Sequence, residues 1–111
     1  MEITRFDDAR PYPTVGHFGM TALRLQGHEA SGSTNFWVGF STFEPGGGAE
    51  MGSTPFEKVY VVVEGELAVT TVAGTVTLGR YDSCRIAPGE ARAIRNETAS
   101  QVKAIVIIPY A

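Results

Sequence analysis

The chain has 111 residues, of which 43% are hydrophobic and 19% are charged, and this balance predicts one globular domain without disordered regions. Nine basic side chains against twelve acidic ones give a formal net charge of −3, which argues against nucleic acid as a partner because nucleic-acid-binding proteins present a basic surface. The sequence contains no apolar run long enough to span a membrane, no apolar segment typical of a signal peptide, and one cysteine, so an intrachain disulfide is excluded. We therefore expect a cytoplasmic protein that has neither a membrane nor a nucleic-acid partner.

Short β-type segments separated by turn-forming residues extend along most of the chain. Residues 1–19 mix charge with Pro and Gly and are expected to form an N-terminal arm. The predicted strands lie at residues 20–25, 36–43, 58–63, 66–72, 75–78, 83–86, 91–95 and 102–108. In the second of them, Phe36, Val38 and Phe40 are expected to share one face. Because no segment shows a helical period over a dozen residues, the pattern predicts an antiparallel sandwich or a small barrel.

Two of the predicted strands are apolar on both faces. In residues 58–63, alternation places Val59, Val61 and Val63 opposite Lys58, Tyr60 and Val62. Residues 104–108 are similarly apolar on both sides. A strand of this kind is buried on both faces, and in so small a domain the simplest cover is a second copy of the chain. The sequence therefore predicts a homodimer.

The clearest motif lies between Pro45 and Leu67, with the sequence PGGGAEMGSTPFEKVYVVVEGEL. It resembles the first motif of the cupin superfamily, G-x5-H-x-H-x3,4-E-x6-G, with Gly65 as the closing glycine. The glycines of this segment are expected to form backbone turns near the barrel rim; they are Gly46, Gly47, Gly48 and Gly52.

A second segment, LGRYDSCRIAPGEARAIRN, resembles the second cupin motif, G-x5-P-x-G-x2-H-x3-N. The spacing from Gly89 to Arg92 to Asn96 fits that motif, whereas Ala87 occupies the usual proline position. The two motif regions together span residues 45–96. The resemblance implies a single cupin domain over residues 1–111, folded as an all-β, antiparallel jelly-roll or double-stranded β-helix barrel similar to RmlC.

In the superfamily, three histidines and one glutamate usually hold Fe, Mn, Ni or Zn at the barrel mouth. The four corresponding positions of this chain hold Gly52, Thr54, Lys58 and Arg92. None of these supplies an imidazole or a carboxylate, and two of them are cations that repel a metal ion. The only two histidines, His17 and His28, lie outside both motifs. We therefore expect no metal and no other cofactor.

Since the ligand positions of cupins point into the barrel, the resemblance implies that Lys58, Thr54 and Arg92 face a cavity, and strand alternation adds Tyr60. A lysine that is kept from water beside a second cation has a lowered pKa and could act as a base or as a nucleophile. We predict that Lys58 is the base, that Tyr60 is the acid, and that Arg92 anchors a small anionic metabolite, most naturally a carboxylate. Thr54 is expected to be a hydrogen-bonding partner.

Two further residues are candidate ligand-binding residues. Glu50 lies on the glycine-rich segment at the expected mouth, and His17 reaches the ligand if the N-terminal arm folds over the barrel. In an alternative interpretation the cations are structural: Lys58 and Arg92 pair with carboxylates and fill the space of a former metal site. The carboxylates considered for this role are Glu50, Asp82 and Glu90.

The predicted function is that of a metal-independent enzyme, an isomerase, lyase or cyclase, acting on a small oxo or hydroxy acid. The alternative is a non-catalytic cupin that binds a small ligand or serves as an accessory subunit. The protonation state of Lys58 distinguishes the two, because a base must be partly neutral near pH 7.

Overall fold

The structure, a computed structural model, describes residues 1–110. A three-residue 3-10 helix (Phe6–Asp8) precedes the strands of an all-β domain. The strands are β1 (Arg10–Pro11), β2 (His17–Gln26), β3 (Phe36–Gly52), β4 (Lys58–Glu64), β5 (Leu67–Thr71), β6 (Gly74–Leu78), β7 (Ser83–Ile86), β8 (Arg92–Arg95) and β9 (Val102–Pro109). Within the described residues, no helix has the length and apolarity that crossing a membrane requires.

All strand pairs are antiparallel, in the order β6-β5-β8-β3-β9-β4-β7, and β2 lies along β3 with β1 beside it. Residues 36–43 of β3 pair with β9, and residues 48–52 pair with β8. The long strand β3 thus pairs with β2, β9 and β8 along different parts of its length and joins the strands on either side of it into one barrel. The predicted jelly-roll architecture is confirmed.

The prediction that the glycine-rich segment forms turns is wrong, because β3 continues to Gly52. A Cβ atom on Gly48 would overlap the carbonyl oxygen of Ile94 in the neighbouring β8. The glycine therefore allows two backbones to approach closely within the sheet. Gly46, whose φ is +82°, bends the strand between its two pairing partners. The strand β2 also begins at His17, so the N-terminal arm is shorter than predicted.

The core lies inside the barrel and is built from the inward-facing residues of its strands. The most deeply buried hydrophobic side chains are Phe43, Val62, Leu67, Ile94 and Val102. This arrangement follows from alternation, since each of these strands presents every second side chain to the interior.

Asn96, which the second motif retains, is fully buried and links three segments. Its Nδ2 donates hydrogen bonds to the carbonyl oxygens of Phe43 (3.0 Å) and Ser100 (2.7 Å). Its Oδ1 accepts hydrogen bonds from the backbone N–H and the hydroxyl of Thr98. All the polar atoms of this amide are therefore satisfied, and its role is to fix the loop between β8 and β9 against β3.

The outer face of β3, β9 and β4 carries two cross-strand rows of apolar side chains, here called the outer apolar stripe. The rows are Val38–Ile107–Val59 and Phe40–Ile105–Val61. Phe36, Val38 and Phe40 share one face as predicted. The ring of Phe6 in the N-terminal arm packs edge-on against Phe40, with ring centroids 5.1 Å apart. The chain therefore covers part of this face itself.

Candidate functional site

The barrel encloses a cavity of about 180 Å³, here called the inner cavity. Its wall combines side chains from the N-terminal arm and from the strands β2, β3, β4, β8 and β9. The residues that supply its polar groups and aromatic rings include Tyr12, His17, Trp37, Lys58, Tyr60 and Arg92. Four of the sequence-predicted site residues therefore lie together around one cavity: Lys58, Tyr60, Arg92 and His17.

The two remaining predicted residues, Glu50 and Thr54, lie at the mouth. They line a second cavity of about 300 Å³, whose wall also includes His17 and Arg92. Thr54 does not line the inner cavity as predicted, because it follows β3 in a loop where its hydroxyl accepts a hydrogen bond from the Phe56 backbone N–H (3.4 Å). Thr54 therefore contributes to the wall of the mouth.

Arg92 is buried and is held by two hydrogen bonds. Its Nε donates to the Tyr60 hydroxyl oxygen (3.2 Å), and one terminal nitrogen donates to the Glu50 carbonyl oxygen (3.3 Å). A guanidinium has five N–H donors, so three remain for a ligand. This geometry orients Arg92 toward the cavity without neutralising its charge.

The alternative interpretation, in which carboxylates neutralise the two cations, is wrong. Across residues 1–110, neither Lys58 nor Arg92 forms a salt bridge. Asp82 and Glu90 instead accept backbone N–H groups of their own turns, from Gly79 and Ala87 respectively. The cavity therefore contains two cationic side chains that an anionic ligand would neutralise.

The environment of Lys58 penalises the charged form of its amine. Burial lowers the pKa of its amine from the ordinary value of 10.5, and the nearby charge of Arg92 lowers it further. Both effects act in the same direction because each penalises the ammonium form. The direction of this shift is the one that the predicted base requires.

His17 is a second group that could exchange a proton in the inner cavity. Its Nδ1 lies 2.8 Å from the Val15 carbonyl oxygen, which can only accept, so Nδ1 carries the hydrogen and Nε2 has the free lone pair. Burial lowers the pKa of His17, as do the charges of Arg92 and Lys58, while the bond to Val15 raises it. A neutral imidazole is therefore favoured at this position.

Sequence reasoning missed the aromatic part of the wall. The guanidinium carbon of Arg24 lies over two rings that meet edge to face, 4.2 Å from the centroid of Tyr12 and 4.7 Å from that of Trp37. Cation–π attraction of this kind fixes the positions of both rings, and burial raises the pKa of Tyr12 to about 12. Alternation in β3 could have revealed Trp37, which lies on the face opposite Phe36 and Val38. No local sequence pattern predicts the roles of Tyr12 and Arg24, since their contacts join distant segments.

The model of the cupin domain family matches residues 39–108 of the chain. The chain belongs to the cupin family. Because this fold carries many unrelated activities, membership establishes the architecture, and the function depends on the side chains in the cavity.

Three similar proteins illustrate the range of this cupin's relatives. A protein named beta-D-galactosidase from Mycobacterium tuberculosis is 42% identical over 110 residues, covering 99% of this chain and 95% of that protein. The structure of the polyketide cyclase RemF from Streptomyces resistomycificus matches with a TM-score of 0.87 and 18% identity, over 98% of this chain and 79% of that one. A sugar phosphate isomerase of the cupin superfamily from Silicibacter pomeroyi matches with a TM-score of 0.82 and 20% identity, over 96% and 74%. At such low identity the two structural matches show the shared fold alone.

The side chains at this cupin's four usual metal positions do not fit a divalent cation. Gly52 has no donor atom, and the Thr54 hydroxyl already accepts a hydrogen bond. Lys58 and Arg92 carry positive charge or donate hydrogen bonds, whereas a divalent metal needs neutral imidazoles or carboxylates. Among the residues that the structure describes, no three His, Cys, Asp or Glu side chains are grouped as metal ligands would be.

Proposed function

We propose that this cupin is a metal-independent enzyme that transfers a proton on a small hydroxy or oxo acid bound in the inner cavity. The observation that carries the proposal is that Lys58 and Arg92 face the same cavity and that, within residues 1–110, no carboxylate pairs with either cation. An isomerase, lyase or cyclase reaction is consistent with these side chains.

Each group has a distinct role in the proposed reaction. Arg92 binds the carboxylate of the substrate through N–H groups that Tyr60 and Glu50 leave free. The neutral amine of Lys58 takes a proton from the carbon next to the substrate carbonyl, and the electron pair of that C–H bond moves onto the carbonyl oxygen. Since the Tyr60 oxygen accepts the hydrogen bond from Arg92, its own O–H is available to donate to that oxygen. Returning the proton to a different carbon completes an isomerisation.

A second candidate function, hydrolysis of β-galactosides, is favoured by the relative of 42% identity that is named for that activity. Glycoside hydrolysis usually requires two carboxyl groups on either side of the scissile bond. The described residues that line the inner cavity include no Asp or Glu, and Glu50 lies at the mouth beside His17. Hydrolysis would therefore use Glu50, with His17 as its partner. The geometry supports this reaction less well than proton transfer by Lys58.

Turnover assays with metal-stripped protein distinguish these functions. The assays use a panel of small hydroxy and oxo acids, sugar acids included, and 4-nitrophenyl β-D-galactoside. If the protein transfers a proton, Lys58→Met should lower kcat on the acid by about 10²- to 10⁴-fold, and Glu50→Gln should leave it nearly unchanged. If it hydrolyses galactosides, Glu50→Gln should abolish that hydrolysis. Full activity of Lys58→Met on an acid of the panel would remove Lys58 from the mechanism. Binding of these acids without turnover would identify the non-catalytic alternative.

The proposed location of this activity is the cytoplasm. Cys84 is the single cysteine of the chain, and an unpaired thiol of this kind stays reduced in that compartment.

A further inference from the structure

A third cavity, of about 450 Å³, opens beside the inner cavity and has an aromatic wall. We refer to it as the aromatic cavity. Four rings contribute to its lining, those of His28, Trp37, Phe56 and Tyr110. Ile108 and Pro109 add further apolar surface, Thr54 adds a hydroxyl, and Lys58 is the one Lys, Arg, Asp or Glu among the described lining residues.

Three of the four rings of the aromatic cavity, those of His28, Trp37 and Tyr110, are held in place by one another. The His28 backbone N–H donates to the Tyr110 hydroxyl (2.6 Å), and the His28 ring lies 5.0 Å from Tyr110 and 5.4 Å from Trp37, measured between ring centroids. At Gly27 a Cβ atom would come within 2.5 Å of the Trp37 Cβ and 2.6 Å of the Tyr110 hydroxyl. Glycine at this position therefore lets both rings pack directly on the backbone, and the wall is preformed.

The aromatic cavity adjoins the inner cavity, because Trp37, Lys58 and Ile108 line both. Trp37 and Ile108 are direct cross-strand partners in β3 and β9. The inner cavity alone is smaller than the roughly 300–1,000 Å³ of most ligand sites, and the two cavities together fall within that range. The inner cavity therefore has room for a small polar group, and the aromatic cavity has room for a larger and less polar group.

We propose that the aromatic cavity binds a flat aryl group carried by the same ligand whose carboxylate lies in the inner cavity. This inference rests on the proposed function and narrows its substrate class to small acids with an aryl substituent. The amine of Lys58, on the shared wall, would lie at the junction of the polar and the aryl part. The rings would contact the substituent by stacking and edge contacts.

Calorimetric titration with three compounds tests the inference: lactate, 3-phenyllactate and benzyl alcohol. These carry the carboxylate alone, the carboxylate with a phenyl ring, and the phenyl ring alone. Because Trp37 is the single tryptophan, its fluorescence reports binding at the shared wall. We expect 3-phenyllactate to bind the wild-type protein at least about tenfold more tightly than lactate. Phe56→Ala should remove most of that advantage, weaken benzyl alcohol and leave lactate unchanged.

The matched control is Phe6→Ala, which removes an exposed ring on the outer face of the barrel and should leave all three affinities unchanged. Equal affinity for lactate and 3-phenyllactate would overturn the inference while leaving the carboxylate site intact. Equal affinities of the Phe56→Ala and Phe6→Ala variants for the three compounds would also overturn it. Failure of both aryl compounds to bind would do the same. Phe56-dependent binding of benzyl alcohol without any binding of lactate would support the aryl subsite and contradict the proposed acid substrate.

Discussion

Two cationic side chains, Lys58 and Arg92, face the inner cavity, where the charge of one affects the pKa of the other. Arg92 is held beside the cavity by hydrogen bonds to the Tyr60 hydroxyl and the Glu50 carbonyl oxygen. Burial of the amine and the charge of Arg92 both lower the pKa of Lys58. An anion that binds Arg92 would offset this repulsion and raise the pKa of Lys58, so proton uptake by the amine would become more favourable once the acid is bound.

The pH dependence of the reaction tests this coupling. A base must be deprotonated, so kcat/KM should rise with pH through the pKa of Lys58, below the ordinary 10.5. In Arg92→Met the lowering effect of the guanidinium is lost, the pKa of Lys58 rises, and the acidic limb of the profile should move to higher pH. Arg85→Met is the matched control, because Arg85 pairs with Glu57 at the surface (2.9 Å). An acidic limb that does not move in Arg92→Met would contradict the coupling.

At the scale of elements, the pattern of apolar and turn-forming residues predicted where the strands lie but not the full extent of β3. The segment after Phe43 is rich in glycine and lacks β-branched residues, so local preference favours turns. The strand persists because β2 and β8 pair with it on both sides and because glycine allows those backbones to come close. Such a requirement is set by the neighbouring strands, and the local sequence does not reveal it.

Paired glycine substitutions in β3 test this explanation. A Cβ atom at Gly48 would overlap the backbone of Ile94, whereas at Gly52 it would have ordinary space, with the nearest atom 3.9 Å away. Gly48→Ala should therefore lower the free energy of unfolding by about 3 kcal/mol or more, and Gly52→Ala should change it by no more than about 0.5 kcal/mol. Urea denaturation of the two variants measures the difference. Equal stability would show that β3 does not need glycine for close approach.

The loop between β8 and β9 depends on the two donors of the Asn96 amide. Asn96→Asp keeps the size of the side chain but removes the N–H groups that bind Phe43 and Ser100, and it places a carboxylate where the native residue is fully buried. We expect a loss of about 3 kcal/mol or more in unfolding free energy near pH 7. The control is Asn35→Asp at an exposed position, for which a change within about 0.5 kcal/mol is expected. Wild-type stability of Asn96→Asp would contradict the role given to this amide.

At the scale of the whole molecule, the candidate site is assembled from distant parts of the chain. The motif positions Lys58 and Arg92 could be assigned from the sequence because the barrel orients them inward. The contribution of Tyr12 could not, since it depends on how the N-terminal arm packs against Trp37. Residues of regular strands are predictable from alternation, whereas contacts of an irregular arm depend on the complete fold.

The outer apolar stripe is the basis for the oligomeric state that we propose. Phe6 covers Phe40, but Ile107 remains 36% exposed within a continuous apolar surface of three strands. We propose that a second copy of the chain covers this surface. Sedimentation equilibrium should give about twice the 11.9 kDa of one chain, and Ile107→Lys should yield monomers. Val76→Lys, at an exposed position on β6, should leave the dimer intact; a wild-type monomer at every concentration would exclude the proposal.

The central claim is that this cupin uses Lys58 and Arg92 at positions where the cupin motifs usually place metal ligands. The most direct measurement is turnover of the acid panel by protein treated with a chelator, with the metal content determined by elemental analysis of the same sample. The account predicts that turnover persists with far less than one metal ion per chain and is lost in Lys58→Met. Turnover that disappears on chelation and returns with one equivalent of Fe, Mn, Ni or Zn would contradict it.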